Sequence, residues 1–192
     1  SLTLTNDYTI GAGTSSLGST SYTVSNTIQG AGTVTGAATL DVRDNFTMSG
    51  AVNLQSNPLV VNLPSSSYDM SFFGVISGAG GSFVKSGLGS LYLGGVNTFT
   101  GGVTINQGRL RVATNSSLGT GSLTMTGGGL SSDGTGARTL ANPYFLGGSV
   151  ILGNTTYNGA MTLSGAGMLT SAISLTTESA VILGGVLGGA FG

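Results

Sequence analysis

Residues 80–129 read GGSFVKSGLGSLYLGGVNTFTGGVTINQGRLRVATNSSLGTGSLTMTGGG, and this stretch decides the fold. Between its glycine pairs lie short alternating pieces: Leu91-Tyr92-Leu93, Val103-Thr104-Ile105, Leu110-Arg111-Val112 and Leu123-Thr124-Met125. Each places two apolar residues on one side and a polar or amphipathic residue on the other. That is the period of two of a strand with one buried face. The gaps hold Gly, Asn, Ser and Thr, which make turns.

The apolar pairs also recur at longer range. Phe83 and Val103, Val103 and Leu123, Leu110 and Leu130, and Leu130 and Val150 are each about 20 positions apart, and a fixed period of that size marks a stacked coil, or solenoid. The N-terminal part follows the same rhythm less cleanly. Tyr22 and Val24 match Leu40 and Val42, Ile28 matches Met48, Val34 matches Leu54, and Leu40 matches Val60. The whole of 1–192 reads as one all-β domain, a single-stranded parallel β-helix of about 20 residues per coil. Nine or ten such coils, at about 4.8 Å each, make a rod on the order of 45 Å long. No window has the apolar spacing of an amphipathic helix free of glycine and β-branched runs.

Several runs resemble a known family. They are Phe83-Val84-Lys85, Asn97-Thr98-Phe99-Thr100-Gly101-Gly102, Gly108-Arg109-Leu110-Arg111-Val112 and Ser117-Leu118-Gly119. Together they resemble the passenger-associated repeat of bacterial autotransporters. A weaker likeness runs on through Leu140-Ala141-Asn142-Pro143 and Leu163-Ser164-Gly165-Ala166-Gly167. The resemblance implies a right-handed parallel β-helix that is secreted to the cell surface. Handedness rests on that likeness and on the usual right-handed crossover of parallel strands.

Composition narrows the function classes. Charged residues make up 6% of the chain and the net charge is −1. The charges are scattered, so neither a nucleic-acid stripe nor an acidic block is expected. The 36 glycines do not fall at every third position and prolines number three, which is not collagen. Without cysteine there is no disulfide framework and no thiolate metal site. No signal peptide is visible at Ser1-Leu2-Thr3-Leu4, so the reading expects a mature product or an excised piece. Residues 180–187 are too short and too glycine-broken to span a bilayer as a helix, and no transmembrane segment is expected.

No catalytic, cofactor-binding or metal-binding residue is expected. Without histidine, a Ser-His-Asp set has no base. Glycosidic cleavage needs two facing carboxylates, and Asp41 and Asp44 are the only close pair. With Val42 inward, Asp41 and Arg43 share the outer face, where Arg43 neutralises Asp41. The acids form no calcium cluster. Arg109, Arg111 and Tyr92 point outward. A line of outward aromatics would indicate carbohydrate binding, whereas one alone is ordinary.

Two loops are expected off the coil: Pro64 to Met70, following the prolines that bracket Leu59–Leu63, and Ser131 to Ala137. The Gly-Ala-Gly runs at 30–32, 78–80 and 165–167 suit corners, where glycine takes positive φ or lets coils approach. Neither end resembles a solenoid cap, which predicts end-to-end self-association into a filament. The first reading is thus a non-enzymatic extracellular scaffold of adhesin type that needs no cofactor. Its partners would be other copies of itself, surface glycans or other cells, and not nucleic acid. A carbohydrate-binding module and a β-helical polysaccharide-degrading enzyme are the alternatives.

Overall fold

The structure is a computed structural model that describes residues 3–17 and 26–189. Short strands follow one another with no helix among the described residues, and all of their pairings are parallel. The described residues wind into a β-solenoid of about 8 turns. A full turn has three sides. Asn26–Ile28, Gly32–Val34 and Ala38–Val42, for example, make one turn, and Phe46–Met48, Val52–Asn53 and Pro58–Asn62 stack on it in the same order.

Alternation sets the core. Val103 and Ile105 are buried while Thr104 is half-buried, and Leu91 and Leu93 flank a half-buried Tyr92 in the same way. In-register stacking turns each inward position into a column, such as Ala38, Leu59, Phe83, Val103, Leu123 and Tyr144. Phe72 meets Phe83 edge-on at 5.5 Å, and Phe83 lies 6.4 Å from Phe99. Burying such side chains contributes about 1.5–3 kcal/mol each.

The expected stacks of Phe83 on Val103, Val103 on Leu123, Leu110 on Leu130 and Ile28 on Met48 are present. The spacing, however, is not constant. Leu91 pairs with Leu110, 19 positions on, whereas Gly13 pairs with Ala38, 25 positions on. The mean is about 22, so the chain makes fewer turns than the nine or ten that a period of 20 predicts. Two expected stacks are corrected. Leu40 pairs with Val61 rather than Val60, and Leu130 with Leu152 rather than Val150. The first error is a slip of one residue, which exchanges the two faces of a strand, and Val60 accordingly faces outward. In the second, one residue of the slip is already present where Leu123 pairs with Tyr144, and the other arises at a register shift between Met125 and Gly127, where one strand, Leu123–Ser132, turns a corner without a break. The pairings expected of Tyr22 and Val24 lie outside the described residues.

The second side loses its strands after Ile76–Ser77 and regains them at Arg138–Leu140. Scattered backbone bonds still link the coils there, such as the Thr98 amide to the Ile76 carbonyl at 2.9 Å and the Thr120 amide to the Phe99 carbonyl at 3.0 Å, and side chains supplement them. Asn97 is buried; its Oδ1 accepts from the Ile76 amide of the preceding coil at 2.8 Å, and its Nδ2 donates to the Ser117 carbonyl of the next at 2.6 Å. Ser117 Oγ donates back to the Leu93 carbonyl at 2.9 Å, and Thr100 Oγ1 accepts from the Gly80 amide at 2.7 Å. Phe99 and Leu118 fill the core beneath.

The Gly-Ala-Gly corners divide by cause. Gly78 and Gly80 have φ of 132° and 78°, which L side chains rarely adopt. At Gly30 a Cβ would lie 2.0 Å from the Asn6 carbonyl oxygen, so close approach decides there. The segment after Pro64 ends earlier than expected, since Met70 is a buried member of the strand Asp69–Phe72.

Candidate ligand-binding face

The outward side chains of the first side converge on one cluster. Alternation in Ser90–Leu93 and Arg109–Val112 sends Tyr92 and Arg111 outward, and the parallel register makes them neighbours. Phe73 follows the strand Asp69–Phe72 on the preceding coil. Its ring centroid is 5.0 Å from that of Tyr92, with the planes inclined at 52°. The Arg111 guanidinium lies 6.0 Å from the Tyr92 ring and 4.9 Å from that of Tyr157. Phe73, Tyr92, Arg111 and Tyr157 therefore form a continuous run of rings and a cation.

Tyr157 comes from residues 153–160, which connect Tyr144–Leu152 to Met161–Leu163. Asn154 Oδ1 accepts from the amides of Thr156 and Tyr157 at 2.7 and 2.9 Å, which closes the turn. Arg109 Nη1 donates to the Gly153 carbonyl and anchors the start of this segment. Below it, Ser131 pairs with Arg111 in register and is fully buried.

Charges around the cluster are matched. Arg111 lies 3.8 Å from Asp69, and Arg138 lies 2.7 Å from Asp133. Burial raises the Tyr92 phenol above its usual range; Asp133 adds to this, and Arg111 and Arg138 oppose it. The expected outward positions of Tyr92, Arg109 and Arg111 are thus found, but these are engaged side chains rather than a solvated face. The sequence reading missed Phe73 and Tyr157. Phe73 was legible in Phe72-Phe73, since alternation must send one of two adjacent residues outward. Tyr157 has no such signal, because an irregular segment carries it.

Asp41 and Arg43 sit elsewhere, in a shallow cleft of about 410 Å³ with Asn62, Pro64, Ser65 and Tyr68. Both carboxylate oxygens of Asp41 are engaged: Arg43 Nε donates at 2.7 Å and Asn62 Nδ2 at 2.8 Å. The Arg43 bond holds its pKa below the usual carboxylate value, against the effect of burial. Asp44 Oδ1 accepts from the Asn45 amide at 2.8 Å. Asn45, Asn115 and Asn154, which begin Asn-x-Ser/Thr triplets, use their Oδ1 atoms on backbone amides. Among the described residues no three His, Cys, Asp or Glu side chains converge as metal ligands, and no helix is long and apolar enough to cross a membrane.

Residue Lys85 lies inside the solenoid, in the column between Val61 and Ile105. Its Nζ donates to the carbonyls of Ser86 and Gly87 at 2.7 Å and of Gln107 at 3.2 Å. The ammonium thus ties three carbonyls of one corner together, and that of Ser86 also accepts from the Leu63 amide at 3.1 Å.

Comparison with known proteins places a passenger-associated-transport-repeat at residues 83–112. No curated protein and no solved structure matches the chain. The matched stretch includes both the buried Lys85 and Asn97 with its bridge between coils. The chain is an all-β parallel solenoid whose middle coils match the passenger-associated-transport-repeat.

Proposed function

We propose that this chain serves outside the bacterial cell as a non-enzymatic structural rod, within the passenger of an autotransporter. The observation that carries the reading is the position of the matched repeat inside a continuous, largely apolar core. Asn97 and Lys85 both satisfy backbone groups between or at the corners of coils, so the repeat maintains a scaffold. The best-defined acidic group, Asp41, is held by two donors, which suits structure better than acid–base chemistry.

The proposal extends to stacking of further coils on the last one. Such a head-to-tail contact does not close on itself and so would build a filament.

Antibody labelling and protease shaving of intact source cells test the location. Labelling and cleavage without lysis are expected, and a chain reached only after lysis overturns the reading. Turnover of any polysaccharide by the purified chain would overturn its non-enzymatic part. Light scattering and negative-stain images across a concentration series test stacking, which uniform monomers throughout would refute.

A further inference from the structure

One corner of the rod departs from its Thr, Ser and Asn exterior. Phe73 is 54% exposed, Val75 43% and Val96 57%. Val75 and Val96 occupy the same corner on successive coils, since Ile76 and Asn97 are bonded across it and Phe72 pairs with Leu93. Tyr92 lies against Phe73, and Gly94 leaves room for its ring: a Cβ there would stand 2.7 Å from Tyr92 Cε1. Exposed apolar side chains that cluster, with a polar rim, mark interaction surfaces.

Charge and area select the occupant. Arg111 and Arg138 are matched by Asp69 and Asp133, so an anion or a cation meets no surplus charge here. A stable protein interface covers about 800 Å² per partner, more than two rings and two valines at one corner provide. A neutral sugar ring fits both features. Its C–H face is apolar and packs on an aromatic face, while its hydroxyls need donors and acceptors together. Asp69, with a half-exposed carboxylate, accepts; Arg111 donates; the Tyr92 hydroxyl does both.

We propose that Phe73 and Tyr92 form a stacking platform for a neutral pyranose, with Asp69 and Arg111 hydrogen-bonding its hydroxyls. This goes beyond a structural role for the rod and does not depend on where the rod is located. The equivalent positions on the neighbouring coils are Ser71 and Arg111 for Tyr92 and Ser49 and Gly94 for Phe73, so the platform occurs once and holds one sugar ring.

The test uses the whole chain on an array of neutral α- and β-glucans, mannans, galactans and xylans, with sulfated and uronic-acid glycans alongside. The strongest neutral oligosaccharide is then titrated by saturation-transfer NMR. Binding to a neutral glycan is expected, little changed by salt at about 0.5 M. Phe73→Ala and Tyr92→Ala should each weaken it about tenfold, while Tyr92→Phe, which keeps the ring, stays within about threefold. Phe73→Ala should leave the unfolding temperature unchanged, which separates lost binding from lost fold. The proposal fails if no neutral glycan binds, or if Phe73→Ala binds like the parent. It also fails if only acidic glycans bind and salt removes them, or if Phe73 governs self-association instead.

Discussion

Arg109 Nη2 meets Glu178 Oε2 at 2.9 Å, although 69 residues and three coils separate them. The parallel register sets Gly129 next to Arg109, then Ile151, then Thr176. Gly129 has no side chain, and the Arg109 guanidinium passes 3.4 Å from where its Cβ would be. The arginine therefore lies along the rod and ties coils that share no backbone ladder. Glu178→Gln should lower stability by about 0.5–1 kcal/mol, and less at high salt. Arg109→Leu should cost about 1–3 kcal/mol, since the Gly153 carbonyl also loses a charged donor. Urea unfolding at low and high salt measures both.

Asn97 adds a side-chain bridge to the sparse backbone bonds of the second side. Asn97→Ala leaves the Ile76 amide and the Ser117 carbonyl without this partner, and should cost about 2–4 kcal/mol. Asn97→Asp keeps the acceptor for Ile76 but sets a carboxylate oxygen against the Ser117 carbonyl. Its penalty should therefore shrink at about pH 4, where a protonated acid again donates. Parallel unfolding curves at neutral and acid pH, each against the parent chain, test this.

A column of close backbone contacts runs through Gly30, Gly50, Gly74 and Gly95. A Cβ on Gly50 would stand 2.0 Å from the Gly30 carbonyl oxygen, and one on Gly74 2.1 Å from that of Gly50. Gly50→Ala should force neighbouring coils apart and cost about 3 kcal/mol. Gly134→Ala, with nothing within 4 Å of the added carbon, should change stability by less than about 0.5 kcal/mol. Thermal unfolding of the two variants provides the contrast.

Buried Lys85 makes stability depend on pH. Three carbonyls favour its ammonium, but burial outweighs them and lowers its pKa from 10.5 to about 8. Above pH 8 the folded chain releases this proton while the unfolded chain keeps it. Stability should therefore rise from pH 8 toward 10. Above about pH 10 the trend should reverse, because burial holds the Tyr8 pKa at about 12 while the unfolded phenol ionises near 10. Lys85→Met should abolish the rise between pH 8 and 10 and leave the fall above it. Denaturant midpoints across that range decide, and a parent chain with no rise would contradict the assignment.

Local sterics made much of this protein legible in its sequence. Side chains alternate across any strand, so Leu91, Tyr92 and Leu93, like Leu110, Arg111 and Val112, declared their faces without a structure. Recurrence at about 20 residues announced a stack, and the Asn97–Gly102 run lies inside the stretch that matches the passenger-associated-transport-repeat. Other features depend on lengths that accumulate at corners. An added residue at a corner moved Leu40 from Val60 to Val61, and a spacing already one residue longer at Leu123 plus a bulge of one more moved Leu130 from Val150 to Leu152. The inward Lys85 reads in sequence as a surface charge, and only the carbonyls gathered at its corner explain its place. Tyr157 reaches Arg111, and Arg109 reaches Glu178, through segments whose path no local period encodes. Strand and column were thus determined by nearest-neighbour geometry, whereas the outward cluster was decided by tertiary folding, because only stacking brings distant corners together.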